Sequence, residues 1–402
     1  MKAIVRQSYI DKIERWFGKD TIIILTGQRR VGKSFILRLL RDKISAETDS
    51  HIIYIDKEKK DFDTIRTYQH LNTYIDENIN NDKQNYVLID EVQDIEGFEK
   101  SLRSYYEEPN IEIVVTGSNS KMLSGDLSTL IGGRYKEIYV QALSYEEFML
   151  FHNLADNDDT LAKYIQYGGL PGLIIIGLEE QDSREYQTDI YHTVLLKDVI
   201  LRNQIRNVPF LENLVRFLAD NTGKLFSANS IAKYMISQGE TITSTAVLNY
   251  VKYLCGSYVV HCVNRYDIHG KRIFENNDKY YFEDNGIRNA LVGGTREGNI
   301  EKVIENVIYN HLIRLGYEVY VGQLNAKEID FVCSKPGGER AYVQASYVIA
   351  NEQTREREFG NLRSIRDNYP KYVISMTPLV ERLDDGGIVH LHLRKFLKDG
   401  LI

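Results

Sequence analysis

Eight consecutive residues, Gly27-Gln28-Arg29-Arg30-Val31-Gly32-Lys33-Ser34, carry the sharpest chemical signal in the chain. They satisfy G-x-x-x-x-G-K-[ST], follow an apolar run at 21–26 that reads as a strand, and lead into a helical pattern from Phe35 to residue 43. Glycines let the main chain curl so that successive N–H groups and the positive helix end meet phosphate oxygens. Lys33 adds mobile charge for the β- and γ-phosphates, and Ser34 a hydroxyl for Mg²⁺. The strand before and the helix after separate this pattern from a chance glycine turn.

A pair of carboxylates, Asp90 and Glu91, closes the apolar run that begins at 86. Asp90 there can hold Mg²⁺, usually through water, and Glu91 beside it can orient and deprotonate an attacking water. The run 113–116 ends in Gly117-Ser118-Asn119, whose polar groups could hydrogen-bond a γ-phosphate or that water, and which serves equally as a turn and cap. Arg134 follows Gly132-Gly133 and precedes the run 135–140. By itself it reads as a surface arginine in a turn; the other use is as a finger that neutralises charge on a transferring phosphoryl group.

These residues need elements to hold them. In the first third, runs at 21–26, 52–56, 86–90 and 112–116 alternate with amphipathic segments, which predicts a parallel sheet covered on both faces: an α/β domain over 1–143. Residues 144–200 turn helical around Gly168-Gly169-Leu170-Pro171-Gly172 and are expected to form a helical lid. Within 201–292, helical stretches at 211–220, 227–238 and 244–258 precede short strands at 259–267 and 271–275, the makings of a winged helix-turn-helix. From 293 to 402 a long helix at 300–315 leads into strands at 318–320, 328–332 and 341–345, a charged helix at 352–368 and a strand at 372–376, a second, smaller α/β unit.

Composition bounds the partners. At 402 residues the chain is about two to three times an ordinary domain. With 43% hydrophobic residues and six prolines it is neither disordered nor collagen-like. A net charge of −7 excludes nucleic-acid binding by overall charge. Residues 201–275 nevertheless hold nine Lys/Arg against five Asp/Glu. That patch could meet double-stranded DNA, with 244–258 in a groove and Arg265, Lys271 and Arg272 in the wing, or the segment could dock a protein. Tyr250, Tyr253 and Leu254 read as core. Cys255, Cys262 and Cys333 form no C-x-x-C pair, and no basic-then-apolar leader opens the chain, so a cytoplasmic protein without thiolate metal is expected. Its apolar stretches, such as 22–25 and 173–176, fall far short of the roughly 20 residues that span a membrane.

In type and order, GQRRVGKS, YVLIDEVQ, VVTGSNS, GGRY with QALSYEEF, YGGLPG, LLKDV and EIDFV resemble a group of bacterial and archaeal AAA+-type P-loop ATPases. In that group the ATPase module is followed by a winged helix and a restriction-endonuclease-like domain of unknown function. The resemblance implies ATP and Mg²⁺ as ligands, hydrolysis of the ATP and no particular pathway. For Arg134 it implies the finger role, in cis or from a neighbouring copy in a homo-oligomer. Nucleases of the last fold use a helix Glu, a strand Asp and an [Glu/Gln]-x-Lys. Here Glu305, Asp330 and Gln344 match, but Ser346 stands where the lysine belongs, so a degenerate scaffold is expected. The combined expectation is a Mg²⁺-dependent ATPase whose nucleotide state moves its C-terminal part. The alternatives are an ATP-gated DNA- or protein-binding switch with negligible hydrolysis, and an ATP-regulated nuclease.

Overall fold

A computed structural model of the chain describes residues 4–119, 131–273, 277–294 and 299–401. Phe274 and Glu275, the end of the strand expected at 271–275, lie outside them. The chain divides into two compact units, residues 1–141 with 256–258, and residues 142–255 with 259–402.

In the first unit β1 (Ile22–Thr26), β2 (His51–Asp56), β3 (Asn85–Asp90), β4 (Ile111–Thr116) and β5 (Tyr135–Tyr139) pair in parallel in the order β2-β3-β4-β1-β5. The interior strand β1 is buried at every position, as a strand covered on both faces must be. The helix Lys33–Glu47 starts inside the glycine-rich motif and buries Ile36, Leu37, Leu40 and Ile44, one stripe at helical spacing. Because all five strands run the same way, the loops after β1, β3 and β4 meet at one edge of the sheet.

In the second unit the helices Asp158–Tyr167 and Glu180–Val194, with a π-helical stretch Leu195–Leu201, precede the helices Val208–Asp220, Ala228–Ser237 and Ser244–Gly256. One hydrophobic cluster runs from Leu170 through Val199 and Leu214 to Ile287, so the segment expected as a lid shares its core with the helices that follow.

The ribbon expected from 259–267 and 271–275 forms only in part, because 259–267 is divided between two sheets. β7 (Val260–Val263) pairs instead with β10 (Asp278–Phe282), which also pairs with β6 (Leu225–Phe226). β8 (Arg265–Asp267) and β9 (Arg272–Ile273) form a hairpin on the edge of a different, eight-stranded sheet. The physical reason is apolar: Tyr266 and Ile268 bury against Ile329, Val332 and Tyr342, which draws the chain into that second core.

The eight strands run β15-β16-β14-β13-β12-β11-β8-β9. They include β11 (Glu318–Leu324), β12 (Lys327–Ser334), β13 (Arg340–Ala345) and β14 (Lys371–Ser375). The helix Ile300–Arg314 packs its apolar stripe into one cluster, and Glu352–Arg363 places Phe359 and Leu362 in another. β15 (Arg382–Asp385), β16 (Ile388–His392) and the helix Leu393–Asp399 were not anticipated. Among the described residues no helix is long and apolar enough to cross a membrane.

Candidate functional site

The glycine-rich loop leaves β1 and turns back on itself. Gly27, Arg30 and Gly32 all have positive φ, 138°, 72° and 99°. Gly27 also has no room for a side chain: a Cβ there would lie 2.1 Å from the Val140 carbonyl oxygen. Lys33 is buried, and its ammonium donates to the carbonyls of Gly27 (2.8 Å) and Gln28 (2.9 Å), a position from which it faces the hollow of the loop. Gln28 is itself buried, with its Oε1 lacking a partner, so a polar acceptor in the loop is left unanswered. Arg29 reaches outward to Glu58 at 3.4 Å. Val31 is buried, and its carbonyl accepts from Arg6 at 3.0 Å. Phe35 lies in the first turn of the helix, with the Arg38 guanidinium over its ring.

β3 ends beside this loop. The Asp90 carboxylate accepts a hydrogen bond from Thr116 Oγ1 at 2.5 Å, and the Ser34 side chain acts with it to favour the ionised form. Burial raises the Asp90 pKa, and those two side chains hold the rise in check. Glu91 sits in the left-handed region at φ 53°, a conformation that costs a non-glycine residue roughly 1–2 kcal/mol. Its N–H donates to the same Thr116 Oγ1 at 2.9 Å, and its carboxylate accepts from Gln93 Nε2. Asp56, in register with Asp90 on the neighbouring strand, adds a third buried carboxylate to this edge.

Ser118 and Asn119 are both buried just past β4, whose end is tied to β1 by the Gly117 N–H on the Leu25 carbonyl (3.0 Å). Arg134 lies away from the loop. Parallel pairing sets Tyr135 opposite Ile22 and Tyr139 opposite Thr26, so Arg134 stands at the start of β5, opposite the end from which the loop leaves. Five residues of strand put about 16 Å between the two ends. Its exposed guanidinium pairs with Glu107 at 2.9 Å, which precedes β4 at that same far edge.

Three participants escaped sequence reasoning. Thr116 links Asp90 to Glu91, Gln93 holds the Glu91 carboxylate, and Arg6 joins the Val31 carbonyl to that of Gln141 at 2.9 Å. A carboxylate pair followed at two residues by an amide is the only signal that could have suggested Gln93.

In the second unit the structure brings Glu305, Asp330 and Gln344 together. Gln344 Oε1 accepts from the Asp330 N–H at 2.7 Å, and its Nε2 donates to Glu358 at 2.9 Å. Lys279 of β10, unconnected with them in the sequence, enters the group: its ammonium lies 2.7 Å from Glu305, 2.8 Å from Glu328 and 3.5 Å from Asp330. Burial pushes Glu305 up to about 7, and it also acts to lower Lys279, where the three carboxylates outweigh it. The expected wing is altered too. Arg265 donates to Gln323 of the eight-stranded sheet, while Arg272 lies 3.7 Å from Asp267 with most of its side chain exposed.

A family model described as an AAA domain matches residues 19–149, and one described as a domain of unknown function, DUF8612, matches residues 158–298. An uncharacterized protein of Haemophilus influenzae is 32% identical over 382 residues, covering 93% of this chain and 94% of that one. Another uncharacterized protein, from Methanocaldococcus jannaschii, is 25% identical over 355 residues, 84% of this chain and 77% of its own. Among solved structures, Cdc6p from Pyrobaculum aerophilum has a TM-score of 0.34 at 12% identity, covering 73% of this chain and 95% of that one. AMPPCP-bound DnaA from Aquifex aeolicus has a TM-score of 0.32 at 14% identity, with 62% and 87% covered.

Proposed function

The chain belongs to the same family as the Haemophilus influenzae relative and matches an AAA domain over residues 19–149, and from that premise we propose a Mg²⁺-dependent ATPase of AAA+ type whose nucleotide state is coupled to movement of its C-terminal part. The observation that carries it is the glycine-rich loop after β1 with its buried Lys33, and the buried Asp90 carboxylate at the end of β3 with Glu91 next in the chain. Lys33 and the loop N–H groups would hold the phosphates of ATP, and Ser34 and Asp90 would hold Mg²⁺, which when bound supplies charge neutralisation on the phosphates. Gln28, with its buried unpartnered oxygen, and Gly27, pressed against Val140, fit a loop shaped for a ligand. Glu91 would take the proton of the attacking water, and Ser118 and Asn119 would contact the γ-phosphate or that water.

Steady-state phosphate release and nucleotide titration test this. Lys33→Ala is expected to lose both affinity and turnover. Glu91→Gln is expected to keep affinity while turnover falls by roughly 10²–10⁴-fold. A Glu91→Gln protein that hydrolyses at the native rate removes Glu91 from the scheme, and native affinity and turnover in Lys33→Ala remove the scheme itself.

Beyond the ATPase module, the order helix, β6, helix, helix, β7, β10 supports reading 201–292 as a winged helix. Its exposed Lys233 and Lys252 favour a second reading, a nucleotide-gated switch on double-stranded DNA with little hydrolysis. Phosphate release measured with and without duplex DNA at low and high salt separates the two: the switch predicts salt-sensitive DNA binding that depends on ATP while turnover stays near zero.

A further inference from the structure

We infer that Lys279 is a resident cation standing where a divalent metal would bind, so that Glu305, Glu328 and Asp330 form a latent hard-cation site closed by the protein's own ammonium. The metal that a nuclease-like fold implies does not fit the residues as they stand. Among the described residues no group of three or more His, Cys, Asp or Glu is arranged to hold one.

The backbone is opened for such a centre. Pairing of β12 with β13 stops at Phe331 and Val343. One residue further, the Asp330 N–H is taken by Gln344 Oε1 at 2.7 Å and the Ala345 N–H by Asp330 Oδ2 at 2.9 Å, so side chains replace the ladder and the strands part. Lys279 fills the opening from another sheet. Only 2% of its side chain is exposed, and the three protons of its ammonium match the three carboxylates around it. Tyr281, two residues on along β10, donates to the same Glu305 oxygen at 2.5 Å. Three carboxylates against one ammonium leave negative charge uncompensated, which is what a divalent ion would answer. Ser346, two residues beyond Gln344 and just past the end of β13, is buried with its hydroxyl unpartnered.

Mn²⁺ binding to nucleotide-free full-length protein, followed by electron paramagnetic resonance, tests this in wild type, Asp330→Asn, Lys279→Met and the double variant. Wild type and Asp330→Asn are expected to bind Mn²⁺ alike. Lys279→Met should gain one further site, at least about tenfold tighter than any in wild type, and Asp330→Asn should abolish it in that background. An Asp330-dependent Mn²⁺ site already present in wild type overturns the inference, because Lys279 would then stand beside a metal and not in its place. So does a folded Lys279→Met protein that gains nothing. Should Lys279→Met fail to fold, Lys279→Gln carries the same expectation, and the wild-type and Asp330→Asn pair decides by itself whether the centre is already open.

Discussion

The Thr116 hydroxyl donates to Asp90 and accepts from the Glu91 N–H, so one side chain sets how both carboxylates face the glycine-rich loop. Thr116→Val keeps the shape and removes both bonds, leaving a buried N–H unpaired. A loss of about 1–3 kcal/mol in denaturant unfolding is expected. Because the hydroxyl favours the ionised carboxylate, its removal lets burial push Asp90 further up, and the acid limb of the turnover profile should move to higher pH. An unchanged profile with unchanged stability would mean that Thr116 positions nothing. Gly27, Lys33, Ser34, Asp90 and Glu91 were legible in the sequence because their chemistry is local: a motif of eight residues, and two carboxylates at the end of one apolar run. Thr116 and Arg6 were not, since each acts across 25 or more residues and no spacing announces a partner that only the fold brings near.

At the scale of elements, the strands of the first unit could be picked out by their continuous apolar runs, but which end of a strand carries chemistry depends on register. The run after Arg134 reads correctly as a strand. Only its parallel pairing with β1 reveals that Arg134 lies at the edge away from the loop. We propose that an arginine placed there acts, in an oligomer, on another copy's nucleotide, and a mixing experiment tests it. Arg134→Ala alone should lower turnover by roughly 10³-fold while leaving nucleotide affinity intact. Mixed with Glu91→Gln, itself inactive, it should recover part of the wild-type rate, because the second protein brings the arginine and the first an intact Glu91. No recovery across a range of mixing ratios, in a protein that sediments as an oligomer, would exclude a finger in trans. The division of 259–273 between two sheets has a related cause: short alternating strands fix which face is apolar, and Tyr266 and Ile268 found their apolar partners in a sheet formed by residues more than 50 positions later.

Across the second unit, distant segments are locked by buried polar groups that sequence patterns treat as turns. Gly168-Gly169 was legible as a break between helices, yet its tight geometry answers to Asp284. The Asp284 carboxylate accepts from the Gly169 N–H at 2.7 Å and caps the following helix through the Ile287 N–H at 3.0 Å. A Cβ on Gly168, at φ 71°, would lie 2.5 Å from both carboxylate oxygens. Four residues on, Arg288 is fully buried and donates to the Ala219 carbonyl at 2.9 Å, so one short helix ties two separate segments that precede it in the chain to the same core. Burial raises Asp284 from 3.8 to about 6, against the pull of the main-chain N–H groups. A carboxyl whose pKa is higher folded than unfolded favours the protonated folded state. Its contribution is therefore complete below about pH 4 and is lost as pH rises toward 6, at up to about 1.4 kcal/mol per pH unit. Asp284→Asn cannot titrate. The stability advantage of wild type over this variant should be largest near pH 4 and shrink through the window, leaving near pH 7 the cost of the poorer acceptor for Gly169. Urea unfolding of both proteins at several pH values between about 4 and 7 checks this, and a difference that stays constant across that range would show that Asp284 is ionised throughout and that its lock on the glycine turn carries no proton.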